Sequence, residues 1–378
     1  MLSKVFIDGL SFAMPLLVMA IGAIYSEKSG VTNLAVEGFQ GFGAFTGALV
    51  AVLLMPILGE SSQEVIYIAM VAAFVGGAAF ALIHALLCVK FRADQVISGV
   101  VVNILAVALT TFLTTTINKV ISGGDSSNKF VLGTFNRFSI PVLCDIPILG
   151  SLFTNMYSYE WIILVITIVA WYFMYKTRFG MHLRACGENP QAVDAAGGDV
   201  NRTRFIAVLI SGGLSGVGGI CFAYSISANF SPSIYLGYGY LAIAAMIFGN
   251  WNIGPTAFAC LFFGFAKAGG SQLCLAMGLS SNFSDLFMLT PYVLTLLLLV
   301  FFSKKNHSPA AAGKPFDKGQ LSLLVRRPCG PAIRAAEQPK TERPRCTTSS
   351  GAAFWPLLCR PAAGNRCTRR FCNRLVWC

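Results

Sequence analysis

Nine blocks of apolar sequence, most of them about 20 residues long, constrain this chain more than any other feature. They run 5–25, 34–57, 65–88, 96–116, 161–175, 205–227, 238–248, 255–275 and 286–302. A helix of about 20 residues crosses a hydrocarbon core roughly 30 Å thick. Inside lipid the backbone must satisfy its own polar groups, so repeated segments of this kind are helices. The period-two alternation of an outer-membrane barrel is absent. The fold class is therefore all-α, a polytopic transmembrane helical bundle of about eight to ten spans. Composition agrees, with 55% hydrophobic and 12% charged residues, about half the charge of an ordinary soluble domain. The 238–248 block is short and reads as a broken or re-entrant piece. Lys4 before an apolar run resembles a secretory signal, but no small-residue cleavage site follows cleanly, so the segment is kept as the first span.

The net charge of +12 would suggest a nucleic-acid partner if it lay in the body of the chain. Instead the excess sits beyond residue 320, in a stretch rich in Arg, Cys, Pro and Trp. The remaining charges sit mostly at span ends and report topology. One set of alternating loops holds Lys28, Lys90, Arg92, Lys176, Arg178, Arg184, Arg202, Arg204, Lys304 and Lys305. The other holds Lys4, Lys119, Lys129 and Arg137 with Glu60 and Glu64. The first set is expected to face the cytoplasm, leaving the N-terminus outside. The chain divides into a transmembrane domain over 1–305, a cytoplasmic end over 306–320, and a tail over 321–378. The tail reads as disordered, or as a shifted reading frame joined to a natural ending near Lys318, and is expected to be dispensable.

One long loop, 176–204, lies on the basic side. It carries a short helix signal: Asn189 is a good N-cap, Pro190 suits the first helical position, and Gly197 or Gly198 stops the helix. Two turns are too few to be stable alone in water, so this helix must dock on something. It serves either as a connector packed on its own helix ends or as the docking element for a partner.

The loop resembles the coupling loop of permease subunits of ATP-binding cassette (ABC) importers, in the branched-chain amino acid, ribose and nucleoside branch. The resemblance is carried by Phe179-Gly180, Leu183-Arg184-Ala185, Gly187-Glu188-Asn189-Pro190 and Ala195-Ala196-Gly197. Gly198-Asp199 departs from the family pattern, which implies a looser helix end. Three more stretches match in order: 26–38, from Ser26-Glu27-Lys28 to Glu37-Gly38; Asp94 to Gly99 with Asn103; and Gly237-Tyr238-Gly239-Tyr240 through Gly249-Asn250-Trp251 to Gly254. Together they cover residues 1 to about 318. The Gln95–Asn103 stretch is most similar to simple-sugar and nucleoside members.

The resemblance implies a permease that forms the path for a small polar solute, a nucleoside or simple sugar, with a branched-chain amino acid as the alternative. It implies a cytoplasmic ABC ATPase, a second permease subunit (a copy or a paralogue), an extracytoplasmic substrate-binding (lipo)protein, surrounding membrane lipid, and residence in the bacterial cytoplasmic membrane. It implies an ATPase-coupling set of Leu183, Arg184, Gly187, Glu188, Asn189, Pro190, Ala195, Ala196 and Gly197. No cofactor, metal site or catalytic set is expected: the chain lacks a phosphate-binding G-x-x-x-x-G-K-[ST] loop, and His84, His182 and His307 are isolated.

Polar groups within spans are costly in lipid and mark the candidate solute path: Glu37, Gln95 and Asn103. Each has a plainer reading, Glu37 as a group reaching water or capping a helix and Asn103 as a tie between helices. Lys267 interrupts the eighth block and is expected to pair with an acid or a carbonyl. Trp161, Trp171 and Trp251 fit an interfacial belt. Dense glycines in the second and sixth blocks mark close helix contacts. A secondary transporter working without an ATPase is the rival reading, and it lacks the mid-membrane carboxylates and internal repeat that such proteins usually carry.

Overall fold

The computed structural model describes residues 2–59, 62–121, 127–133, 137–139, 155–232, 236–278, 290–302 and 307–318. The chain divides at Leu324/Val325; everything after that point, and with it all of the expected tail, lies outside the described residues, as do Cys144, Glu60, Lys304 and Lys305.

Every apolar block becomes a helix. In order these are α1 (Leu2–Lys28), α2 (Val36–Leu58), α3 (Gln63–Ala85, extended by a π turn, Leu86–Lys90) and α4 (Gln95–Ile121). Then follow α5 (Ser158–Lys176), α6 (Arg178–Glu188), α7 (Pro190–Ala195) and α8 (Val200–Phe222, extended by a π turn, Ala223–Ser227). Last come α9 (Tyr238–Phe248), α10 (Ile253–Ala276) and α11 (Thr290–Phe302). Seven of these are long and apolar enough to cross a membrane. The only strands among the described residues are β1 (Phe130–Val131) and β2 (Asn229–Phe230), paired antiparallel. The protein is a polytopic helical bundle and a multi-pass membrane protein.

α1 and α8 form the buried centre. α2 and α3 pack on α8, and α10 packs on α1. Large apolar side chains on α3, α4 and α5, such as Val71, Ile104 and Ile168, remain exposed, as lipid-facing helices require. At the α2–α3–α8 junction a Cβ on Gly216 would fall on the Ala73 carbonyl and beside the Gly43 backbone. Close approach of backbones, rather than chain flexibility, explains the glycines there.

Residues 29–35 do not form a surface turn. Arg204, near the start of α8, donates from Nε to Ser29 O at 3.1 Å, while Asn33 Nδ2 donates to Ser211 Oγ at 2.9 Å. Ser211 lies roughly 16 Å along α8 from Val200. After a turn at Ser29–Gly30 that closes α1, the segment therefore climbs back into the bundle over 31–34, and α2 begins near mid-depth. Asn33 Oδ1 accepts from Ala35 N at 3.0 Å, satisfying a backbone donor at that buried start. Arg204 is thus a buried tie rather than a loop cation, its Nη1 also donating to Lys314 O at 3.0 Å.

Replacing Gly216 with alanine is expected to force α3 and α8 apart, at a cost of about 1–3 kcal/mol. Gly254→Ala, where a Cβ meets nothing within 4 Å, is the control. Thermal stability of the detergent-solubilised chain should fall for the first and hold for the second.

Candidate functional site

The short helix α9 has 11 residues, about 16 Å or half a hydrocarbon core. Its N-terminus lies beside the start of α2, in the middle of the bundle. Helix N-termini expose unsatisfied N–H groups and favour negative charge. The Glu37 carboxylate meets both needs: Oε1 accepts from Gly237 N, and Oε2 accepts from Gly239 N at 2.6 Å. A Cβ at Gly239 would collide with Glu37, so the Gly-Tyr-Gly-Tyr pattern is what lets the carboxylate sit there. Asn103 completes the bracket. Its Oδ1 accepts from Gly38 N at 2.8 Å, and its Nδ2 donates to Leu34 O at 2.8 Å and to Tyr240 Oη at 2.9 Å. Gln95 Oε1 accepts from Thr32 N at 2.7 Å, tying α4 to the climbing segment.

The other residues of the first α9 turn are held as firmly. Lys267 Nζ donates to Tyr238 Oη at 3.0 Å and lies 3.8 Å and 4.7 Å from the Phe12 and Tyr238 ring centroids. The expected acid or carbonyl partner is replaced by a phenol and two ring faces, a way to hold an ammonium without a second charge. At the far end of α9, Trp251 Nε1 donates to Glu27 Oε2 at 2.8 Å. Trp251 is 6% exposed, so it is a buried tie to α1 and not an interfacial residue; its belt role is corrected, whereas Trp171 is exposed as expected.

On the basic side, loop 176–204 is more ordered than its sequence suggested. Beside the expected helix there is a second one, α6. The α7 start follows the expected chemistry: Asn189 Oδ1 accepts from Ala192 N at 3.1 Å, and Pro190 takes the first turn. Gly197 adopts φ +83° and ends the helix. Gly198-Asp199 does not loosen that end, because Gly198 N donates to Val193 O at 2.9 Å and Asp199 Oδ1 accepts from Arg202 N at 3.0 Å, capping α8. An apolar groove of about 400 Å³ runs between α6 and α7, with Met181, Ala185, Ala192 and Ala196 in its walls.

Residues 307–318 fold back beneath this pair of helices. Ala311 N donates to Gly187 O at 2.8 Å. Phe316 is buried with Cys186, Val193 and Val200 in a small core of its own. Burial there pushes the Cys186 thiol above its ordinary range, with the Arg204 cation opposing the shift. Two ion pairs near the surface, Arg92–Asp317 at 3.3 Å and Lys318–Asp194 at 3.6 Å, flank the contact and add little by themselves.

Residues 5–301 match the family described as the permease component of a branched-chain amino acid transport system. The chain belongs to that family. This permease is 37% identical to a guanosine ABC transporter permease of Bacillus subtilis, over 82% of this chain and 95% of that protein. It is 35% identical to a nucleoside ABC transporter permease of Lactococcus lactis, over 82% and 96%. It is 29% identical to a putative glucose ABC transporter permease of Haloferax volcanii, over 75% and 82%. No solved structure matches it.

The residues expected to couple to an ATPase divide by exposure within the permease. Leu183, Gly187 and Pro190 are buried, and a Cβ on Gly187 would strike the Lys28 carbonyl. Arg184 is half-buried, its Nε donating to Gly180 O at 3.3 Å and its guanidinium 5.4 Å from the Tyr175 ring centroid. Glu188, Asn189, Ala195, Ala196 and Gly197 face outward. Of the polar span residues, Glu37 and Asn103 meet at one point, and Gln95 joins them through the 29–35 segment. Sequence reading missed α6, the Trp251–Glu27 tie and the Phe316 contact. The Trp251–Glu27 tie alone had a signal, since both residues sit in stretches already matched to the family.

Removing the Glu37 side chain leaves two buried N–H groups without their acceptor, and hydrogen bonds to charged groups contribute about 1.5–3 kcal/mol each. Glu37→Ala is therefore expected to abolish transport and lower the unfolding temperature, with Glu37→Gln intermediate. Normal uptake in Glu37→Ala membranes would refute the bracket. Phe316→Ala should cost about 3–5 kcal/mol locally, seen as rapid proteolysis of loop 176–204, while Phe316→Leu keeps the loop resistant.

Proposed function

We propose that this chain is the membrane-spanning subunit of an ATP-driven importer for a nucleoside, resident in a bacterial cytoplasmic membrane. One observation carries the substrate assignment: the guanosine and nucleoside relatives align over nearly their whole length at higher identity than the sugar permeases. A simple sugar is the second reading, favoured by the glucose and ribose permeases among the relatives at lower identity.

The chain would pair with a copy of itself or a paralogue, and each would take one cytoplasmic ATPase. The groove between α6 and α7 is the seat for that ATPase. Glu188, Asn189, Ala195, Ala196 and Gly197 form the contact, while Leu183, Arg184, Gly187 and Pro190 hold the loop to α1 and α5. An extracytoplasmic binding protein would deliver the solute on the opposite side. Closure of the ATPases would push α7, and the push would pass through α8 and the end of α1 to the α9 bracket. Glu37, Asn103 and Gln95 border the solute path there by holding the half-helix in place. Half-helices whose N-termini meet a negative group at mid-membrane are common where transporters change access. The tail beyond Lys318 plays no part in this scheme.

Two measurements test it. Replacing Glu188–Pro190 with a Gly-Ser stretch is expected to leave basal ATP hydrolysis by the assembled complex but to remove its stimulation by substrate. Unchanged stimulation and uptake would refute the coupling role. Truncation after Lys318 is expected to leave assembly and uptake intact; loss of either would make the tail functional.

A further inference from the structure

The seat proposed above for the ATPase is small. α6 has 11 residues and α7 has six. Of these, Gly180, Leu183, Cys186, Gly187, Pro190 and Val193 are buried within the permease itself. A stable protein–protein interface uses roughly 20–30 residues on each side. Neighbouring surface must therefore take part, and the strap formed by residues 307–318 is the surface that lies against α7.

The strap and α7 form one body. Phe316 shares a small core with Cys186 at the end of α6, Val193 on α7 and Val200 on α8. The Gly187 carbonyl accepts from Ala311 N at 2.8 Å, and the Lys314 carbonyl accepts from Arg204 Nη1 at 3.0 Å. The strap also closes a turn of its own. Ala312 N donates to Pro309 O at 3.0 Å, and Gly313 adopts φ +75°, a conformation glycine takes without strain. This turn leaves Ala310, Lys314 and Pro315 exposed. A push on α7 reaches the strap through the shared core.

A groove of about 570 Å³ separates the exposed edge of the strap from the α6–α7 junction. Glu188, Pro190 and Gln191 form one wall, and Ala310, Lys314 and Pro315 form the other. Glu188 and Asn189 also border the groove between α6 and α7, so the two grooves meet at the start of α7. At 3.6 residues per turn, Pro190 and Gln191 lie on the opposite face of α7 from Ala192 and Ala196. α7 is thus a ridge with a groove on either side. The strap groove is apolar at Pro190, Ala310 and Pro315, with the Glu188 carboxylate on one wall and the Lys314 ammonium on the other. It fits a segment with an apolar tip flanked by charges of both signs.

We infer that the strap is the second half of the ATPase contact. The ATPase straddles α7, and one of its segments seats in the groove between α7 and the strap. The inference rests on the coupling role proposed for α7, and the test separates the two.

The test uses the complete transporter in membranes. A photo-crosslinking benzoylphenylalanine is placed at Ala310 on the strap, at Ala195 on α7, or at Lys129 beyond the far end of α4. Light should join the ATPase to the permease from Ala310 and from Ala195, and not from Lys129. Capture from Ala195 alone would overturn the strap contact and leave the coupling role of α7 standing. Capture from neither would overturn both. A second measurement reads the contact as affinity. Ala310→Trp fills the groove from its exposed wall and should weaken ATPase binding about ten-fold, whereas Ala310→Ser should bind as the parent does. Loop 176–204 should resist protease equally in all three, which separates a lost contact from a lost fold. Parent-like binding by Ala310→Trp would contradict a partner seated in the groove.

Discussion

The carboxylate of Glu37 at the N-terminus of α9 is the interaction on which the rest of this bundle depends. A half-helix starting in the middle of a membrane presents unpaired N–H groups where no bulk water can satisfy them. Glu37 supplies both acceptors, and its charge is favoured by the helix dipole. That solution dictates much else. α2 must begin at mid-depth, so the segment before it must climb back into the bundle. Asn33 and Gln95 must then satisfy the exposed backbone of that segment. Asn103 locks the same corner from α4.

The bracket also connects the two faces of the molecule. Above it, Tyr238 joins Phe12, Phe222 and Lys267 in an aromatic cluster. Below it, α9 ends in two consecutive left-handed residues, Asn250 and Trp251, and the Trp251 indole donates to Glu27 at the end of α1. The α1 end in turn abuts Gly187 in the loop between α5 and α8. A continuous set of packed groups therefore runs from the loop side to the aromatic cluster around Lys267. This is spatial continuity; the coupling along it is part of the proposed function.

What could be read in the sequence follows from how each feature is encoded. Lipid burial demands unbroken apolar runs, so all nine helices that enter the bundle were visible, the short 238–248 piece included. Asn189-Pro190 with Gly197 is a local capping pattern, and α7 formed where that pattern put it. Depth was not visible. Glu37 had the plainer reading of a group reaching water, because a buried non-helical segment such as 31–34 has no periodicity to distinguish it from a surface turn. Helix α6 was missed because it is short and mostly polar and lies inside a stretch read as a loop between spans, although Gly180, Leu183 and Gly187 fall on one face of it. Phe316 is one apolar residue in a polar stretch, and only the pocket made by Cys186, Val193 and Val200 gives it meaning. Trp251 and Lys267 were misread for one reason: their partners, Glu27 and Tyr238, are 224 and 29 residues away in sequence.

The most direct test is amide hydrogen exchange on the chain held in lipid nanodiscs, followed for the peptide that contains Gly237 and Gly239. Two backbone N–H groups bonded to a buried carboxylate should exchange as slowly as the core of α8, and should become fast when Glu37 is replaced by alanine. Exchange at loop rates in the unmodified permease would contradict a half-helix anchored by Glu37, and with it the arrangement built on that anchor.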